Sequence, residues 1–408
     1  MIKILSALVL IFTTLFAQAQ LGFQLLENKK RVDIPIEIYN NLVVVPVVIN
    51  NTLPLKFIVD TGVRTAILTD KVYTDFLNLT YNRKYTIAGA GEFKLVEAYV
   101  TNGVDIVLPG IKGQGHSMLV LEEDYLKLAN YLGTNVHGII GYELFSRFVV
   151  KIDYERRVMT VMQPEKLKLS RKYKTIPIKV EDTKPYVEVW IEQANNTKKK
   201  VKLMIDSGAS HSLLLDPLSD REIIVPDSAE SCVVGHGLGG DIRGKSGRLK
   251  NLELGNFNLG NVIVNYPDQN SYMDTLKAGN IFRNGTMGGD MLSRFTVVFN
   301  FSNETISLKK NNTFKKGFYY SLSGLSLMAK GRNLTEFFVS DVRKKSPSAK
   351  VDIRVGDEII SVNNLSAAEL KLEIINGILN KKEGKTITLV IRRNGEILQK
   401  RFKLQKLG

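Results

Sequence analysis

From about Val32 to Lys310 the chain alternates short apolar runs, rich in Val, Ile, Tyr and Phe, with turn signals every eight to twelve residues. That spacing predicts short strands packed as an all-β sandwich or barrel. After about Asn311 the texture changes. Ser346-Pro347-Ser348-Ala349 opens a short helical turn, Arg354 to Asn363 reads as a turn feeding a strand, and Ala367 to Leu379 has helical spacing. Lys385 to Arg393 is a strand that turns through Asn394-Gly395 into Glu396 to Leu404, completing a small α+β module.

The β region repeats itself. Phe57-Ile58-Val59-Asp60-Thr61-Gly62, followed by Ala66-Ile67-Leu68, is echoed by Leu203-Met204-Ile205-Asp206-Ser207-Gly208 and then Leu213-Leu214-Leu215. The second Asp lies 146 residues after the first (206 less 60). Further on, the segment Gly138 to Phe148 matches Gly285 to Phe295, with 147 residues between the two Phe (295 less 148). Chance recurrence would not hold its register over that distance, so two copies of one β unit are the economical reading. The stretch Gln163 to Thr175, with Pro164 and five Lys or Arg, is the expected connector.

One Asp-Thr/Ser-Gly tripeptide is weak evidence, because any tight turn after a strand favours those residues. Two copies, each between apolar strands and each in one half of a duplicated unit, change the odds. Pseudo-twofold packing would set Asp60 against Asp206. Two carboxyls that close cannot both ionise, so one holds a proton while the other stays charged. The charged member can then take a proton from a water that attacks a peptide carbonyl, and the protonated member can donate to the oxyanion. Gly62 and Gly208 allow the tight turns, and the hydroxyls of Thr61 and Ser207 can bond across the junction.

These motifs resemble a single-chain, retropepsin-like aspartic peptidase of the bacterial secreted type over Val32 to Lys310. The resemblance implies a six-stranded barrel-like lobe per copy, a cleft between the lobes, a flap over it, and catalytic positions at Asp60 and Asp206. Val63-Arg64-Thr65 departs from the small residue usual after the first motif, so Arg64 is expected beside the cleft, where it would lower the dyad's pKa values or touch substrate.

Two glycine-rich stretches follow, Ala88-Gly89-Ala90-Gly91-Glu92 and Gly235-His236-Gly237-Leu238-Gly239-Gly240. The second fits G-x-G-x-x-G, but a dinucleotide site needs a helix directly afterwards and Asp241 to Gly247 cannot form a stable one. Both are expected to be hairpin flaps, with Gly89, Gly91, Gly237 and Gly239 against bound peptide. The C-terminal module resembles a PDZ domain, whose carboxylate-binding loop would be Gly324, Leu325, Ser326 and Leu327, with Phe337-Phe338-Val339 as the strand before the short helix. Asp352 stands where that family commonly has glycine.

Composition narrows the classes. With 408 residues and 44% hydrophobic content, wholesale disorder and fibres are excluded. The formal charge of +15 favours polyanionic surfaces, but the basic residues fall in short clusters such as Lys198-Lys199-Lys200 and Lys344-Lys345, read as solvated loops, and no nucleic-acid partner is expected. The four histidines have no metal spacing, no G-x-S-x-G occurs, and no cofactor or metal is expected. His211 is read as packing or a rim contact, and Tyr142 with Glu143 and Met291 with Leu292 as packing behind the active loops. Cys232, the sole cysteine, is read as an ordinary buried thiol. Lys3, the apolar run Ile4 to Phe16 and Ala17-Gln18-Ala19 form a cleavable signal peptide, too short to span a bilayer.

The expected organisation is mainly β: signal peptide 1–19, pseudo-symmetric aspartic-protease lobes 20–164 and 165–310, and a PDZ-like domain 311–408. The expected protein is a periplasmic or secreted endopeptidase, monomeric, without a membrane span, acting on polypeptides, with the PDZ-like module holding a substrate or a partner's C-terminal peptide. The competing reading is an inactive peptide-binding scaffold of the envelope.

Overall fold

The computed structural model describes residues 22–77, 79–88, 91, 95–268 and 281–406, so the expected signal peptide, residues 1–19, and Gly89 lie outside the described residues. Each copy of the repeat closes into a ring of six strands. In the first copy the ring runs Leu42–Ile49, Leu53–Val59, Gly138–Ile140, Ala66–Leu68, Ile111–Leu121 and Leu95–Leu108, and the last strand pairs back on the first. In the second it runs Lys184–Glu192, Lys198–Ile205, Gly285–Met287, Leu213–Leu215, Phe257–Pro267 and Gly240–Leu254, closing in the same way. In both rings the three-residue strand with the glycine lies parallel to the strand that carries the Asp and antiparallel to the strand after it. A Cβ on Gly285 would lie 1.9 Å from the Leu214 carbonyl oxygen, which is why this squeezed strand begins with glycine.

The two copies are sewn together below the rings. A six-stranded sheet takes Arg31–Pro35, Val149–Asp153 and Val158–Met162 from the first copy and Lys174–Pro177, Phe295–Asn300 and Thr305–Lys310 from the second. Its seam is the antiparallel pairing of Val150 with Phe299 and Ile152 with Val297. All six residues of Phe295–Asn300 are buried, the pattern of a strand covered on both faces. Phe145, Phe299 and Phe301 meet there, with ring centroids 5.3 Å apart for Phe145 against either partner, so both rings share one apolar core.

The C-terminal module has a core of its own, from Leu322 to Leu404. Its sheet order is Leu325–Lys330, Glu336–Val342, Glu358–Val362, Thr386–Arg393 and Glu396–Lys403, which leaves Leu325–Lys330 at the edge. Asn394 and Gly395 both take positive φ (50° and 86°), the conformation of a tight hairpin turn. The helical stretch breaks in two, a 3-10 turn at Ala367–Glu369 and the helix Leu372–Leu379, because Leu370 and Lys371 are extended and Leu370 packs against the module's core instead. Ser346 caps Pro347–Lys350 by accepting from the Ala349 amide.

Asp352 has φ +57°, which explains the usual glycine, and its carboxylate compensates by pairing with Arg354 (2.7 Å) and Arg393 (2.9 Å). These bonds lower its pKa to about 2. A carboxylate held below its unfolded value of about 3.9 contributes stability above that pH and loses it as pH falls toward about 2. Asp352→Asn, which keeps the tolerance for positive φ, is therefore expected to speed amide hydrogen exchange in the sheet of the C-terminal module at pH 6 but not near pH 2.

Lys198-Lys199-Lys200 is not a loop. It begins the strand Lys198–Ile205, and the three ammonium groups pair with Glu253 (3.5 Å), Asp220 (2.6 Å) and Glu188 (2.6 Å). The local positive charge is neutralised across the sheet, so this cluster offers a polyanion little.

Candidate active site

Asp60 and Asp206 each stand one residue past the end of an inner strand. Their amides donate to the carbonyls of Ile140 (2.8 Å) and Met287 (2.9 Å) in the adjacent three-residue strands. Each carboxylate then accepts from the amide two residues on, Gly62 to Asp60 Oδ1 at 2.6 Å and Gly208 to Asp206 Oδ1 at 3.0 Å. The two loops interlock through their hydroxyls. Thr61 Oγ1 donates to the Ile205 carbonyl (2.7 Å) and accepts from the Ser207 amide (3.0 Å). Ser207 Oγ donates to the Val59 carbonyl (2.8 Å) and accepts from the Thr61 amide (3.0 Å). Both side chains are fully buried, so each bond replaces one that water cannot supply.

This brace brings the carboxyls together. Asp60 Oδ1 lies 3.1 Å, and Asp206 Oδ1 3.4 Å, from the single point that a Cβ of Gly62 would occupy. A Cβ on Gly208 would lie 2.2 Å from Asp60 Cγ. Burial first, and then the charge of Asp206, push the Asp60 pKa well above the usual carboxylate range; the Gly62 amide and, more weakly, Lys184 pull the other way. One proton shared by a close carboxyl pair is the arrangement for supplying an acid and a base together.

Arg64 takes no part in this balance. Its guanidinium reaches Asp182 of the other lobe at 3.4 Å, with both side chains more than half exposed. His211 sits behind Asp206, with Nε2 2.8 Å from Thr286 Oγ1, and burial lowers its pKa, so it is neutral at pH 7. Met291 and Leu292 are buried in the core, whereas Tyr142 and Glu143 are only half-buried. The core positions of that turn are Leu144 and Phe145, because Glu143 turns aside to His116 Nδ1 at 2.8 Å. Cys232 is half-buried and burial raises its thiol to about 11, which keeps it protonated and inert.

The glycine-rich stretches are hairpins. The second spans Glu230–Gly237 and Gly240–Leu254 with Gly237 opposite Gly240, so a strand and not a helix follows the G-x-G-x-x-G. The first pairs Arg83–Ala88 with Leu95–Leu108. Their tips meet: Gly91 bridges Gly239, and a Cβ on Gly91, at φ +133°, would lie 2.4 Å from the Gly239 carbonyl carbon. Leu238 packs on apolar side chains of the first ring. Across the second hairpin His236 Nδ1 lies 2.9 Å from Asp241 Oδ1, and Tyr131 of the first lobe packs its ring 4.4 Å from His236 and donates to Asp241 Oδ1 at 3.4 Å. Burial first, and then Asp241, push the Tyr131 phenol up to about 12.

Sequence reasoning missed the short helix Leu128–Leu132, which carries Asn130 and Tyr131. It docks on the second hairpin and on the edge strand Leu325–Lys330 of the C-terminal module, where Asn130 Nδ2 donates to the Ala329 carbonyl at 2.8 Å. Nothing in its local spacing marks these contacts. His236 and Asp241 could have been found, since they are directly opposed once the hairpin tip is set at Leu238-Gly239. In the PDZ loop Gly324 has φ +79° against the Ser346 side chain, and the Leu325 amide donates to Ser323 Oγ at 3.2 Å. Leu325 and Leu327 point into the core while Ser326 is exposed.

The aspartyl protease family matches residues 45–144 and 187–288, one match per ring, each including an Asp motif and the glycine turn beside it. The PDZ domain family matches residues 306–404. The chain belongs to the aspartyl protease family and carries a C-terminal PDZ domain. The first residues of the PDZ match, 306–310, are strand in the sheet shared by the two protease lobes. Over 63 residues the chain is also 40% identical to the probable 26S proteasome regulatory subunit p27 of Saccharomyces cerevisiae, a stretch that makes up 15% of this chain and 29% of that protein.

Proposed function

We propose that this protein is an exported endopeptidase that hydrolyses extended polypeptides with a water activated by Asp60 and Asp206, and that its PDZ domain recruits substrate or partner. The observation that carries the reading is the pair of carboxyls gathered about one point by the reciprocal Thr61 and Ser207 brace. Burial and the neighbouring charge of Asp206 raise the Asp60 pKa, so one proton is retained by the pair. The charged member draws a proton from water, and the protonated member gives its own to the carbonyl oxygen as the tetrahedral intermediate forms. The proton moves between them over the cycle, so the pair titrates as a unit. The glycine hairpins close over the substrate backbone and exclude water. Export rests on Lys3, the apolar run to Phe16 and Ala17-Gln18-Ala19.

The competing scaffold reading draws on Arg64 and on the irregular first flap, and of these Arg64 pairs with Asp182 of the other lobe. The mature chain, incubated with a denatured protein from mildly acidic to neutral pH, is expected to release peptides, and a statine-type transition-state mimic to stop it. Absence of cleavage at every pH, with the chain folded, overturns the proposal.

A further inference from the structure

The PDZ edge strand Leu325–Lys330 is where a peptide would add as a further strand, with its carboxylate at Gly324 to Leu327. In this protein that groove is shut partway along. Asn130 already donates to the outward carbonyl of Ala329, the acceptor a third or fourth peptide residue would need. Beside it, Gly133 is pressed on Leu372 at the start of the groove's helix, where a Cβ would lie 2.4 Å from Leu372 Cβ. A chain that enters with its carboxylate at the loop therefore has no path along the full groove.

It has a path elsewhere. One cavity of about 870 Å³ runs from the loop to the dyad, lined by Leu325, Leu327 and Asn376 at one end and by Asp206, Gly208 and His236 at the other. His236 contributes a buried Nε2 with no partner among the described residues. From this continuity we infer that the PDZ loop and the aspartyl cleft form one substrate site, which takes the free C-terminal tail of a polypeptide, anchors its carboxylate at the loop and presents a bond a short way upstream to Asp60 and Asp206. The inference rests on the proposed peptidase reading and narrows its substrate class to polypeptide tails. The anchor is electrostatic: a carboxylate that takes the place of Ser323 Oγ on the Leu325 amide gains a charge-assisted bond there that a carboxamide does not. The helix Leu128–Leu132 acts as the deflector that turns the tail from groove to cleft.

The test uses the full mature chain and three fluorescent peptides of one unstructured sequence: the free acid, the C-terminal amide, and the free acid extended by twenty Gly and Ser residues. The free acid is expected to be cut at a fixed short distance from its end, with kcat/KM at least about tenfold above the amide, and the cut is expected to follow the new end in the extended peptide. Asn376→Trp, which narrows the passage from the exposed side of the groove's helix, is expected to bring the acid-to-amide ratio toward one. Binding to Asp206→Asn, read by anisotropy, is expected to show the same acid preference without turnover. Equal cutting of acid and amide overturns the inference and leaves the peptidase reading intact. So does a separate free-acid peptide that accelerates cleavage of an internal site, which would make the groove a regulatory port. Acid-selective binding to a wild-type chain that cuts none of the peptides defeats the peptidase reading instead.

Discussion

Asp60→Asn and Asp206→Asn are each expected to lower kcat/KM for peptide hydrolysis by at least about 10³-fold, because either change leaves the pair unable to be acid and base together. The folded state tells the two causes of inactivity apart. Asp60 has its pKa raised by burial and by Asp206, so in the native protein the charged form is disfavoured. A carboxyl whose folded pKa exceeds its unfolded value of about 3.9 leaves stability whole below that value and erodes it as pH rises toward the folded pKa. Asp60→Asn cannot ionise and escapes that penalty. It is therefore expected to melt above the wild type at pH 7, each ~1 kcal/mol relieved adding about 2–4 °C, and to melt with it below pH 4. An inactive variant that melts lower at pH 7 would point to a broken fold, and a fully active one to a dyad that does no chemistry.

The features legible in the sequence were those that recur or are local. The duplicated Asp motifs marked two copies of one β unit, and the family resemblance they carry implied a six-stranded lobe for each. The hairpin at Asn394-Gly395 was legible because a tight turn demands positive φ. Contacts between distant segments were hidden. Lys198 to Lys200 read as a loop since their acidic partners, Glu188, Asp220 and Glu253, lie on other segments. Arg64, expected beside the cleft as a departure from the small residue usual after the first motif, extends its long side chain outward to Asp182 on a turn of the other lobe. Asn130 and Tyr131 left no trace because a five-residue helix with Lys127 and Gly133 in left-handed conformation at its ends has no amphipathic pattern to read. The break at Leu370 follows from tertiary packing overriding helical spacing.

The sharpest test of the geometry is the pair Gly208→Ala and Gly62→Ala. Neither glycine has a positive φ, so alanine meets no backbone strain at either site and the comparison isolates sterics. At Gly208 the new methyl would lie 2.2 Å from the Asp60 carboxyl carbon, so the Asp60 carboxyl itself or the braced loop must shift. At Gly62 the nearest atoms are carboxyl oxygens at 3.1 Å and 3.4 Å, which a few tenths of an ångström accommodate. A displacement of about 1 Å at reacting groups costs on the order of 10²-fold in rate, and overpacking costs about 1–3 kcal/mol. Gly208→Ala is accordingly expected to lose about 10²-fold or more in kcat/KM and to lower the urea midpoint, with Gly62→Ala losing much less of both. Because the two sequence motifs are nearly identical, symmetry alone predicts equal effects; unequal effects in the stated order require Asp60 to lean over Gly208, and the reverse order would mean that Asp206 crowds Gly62 instead.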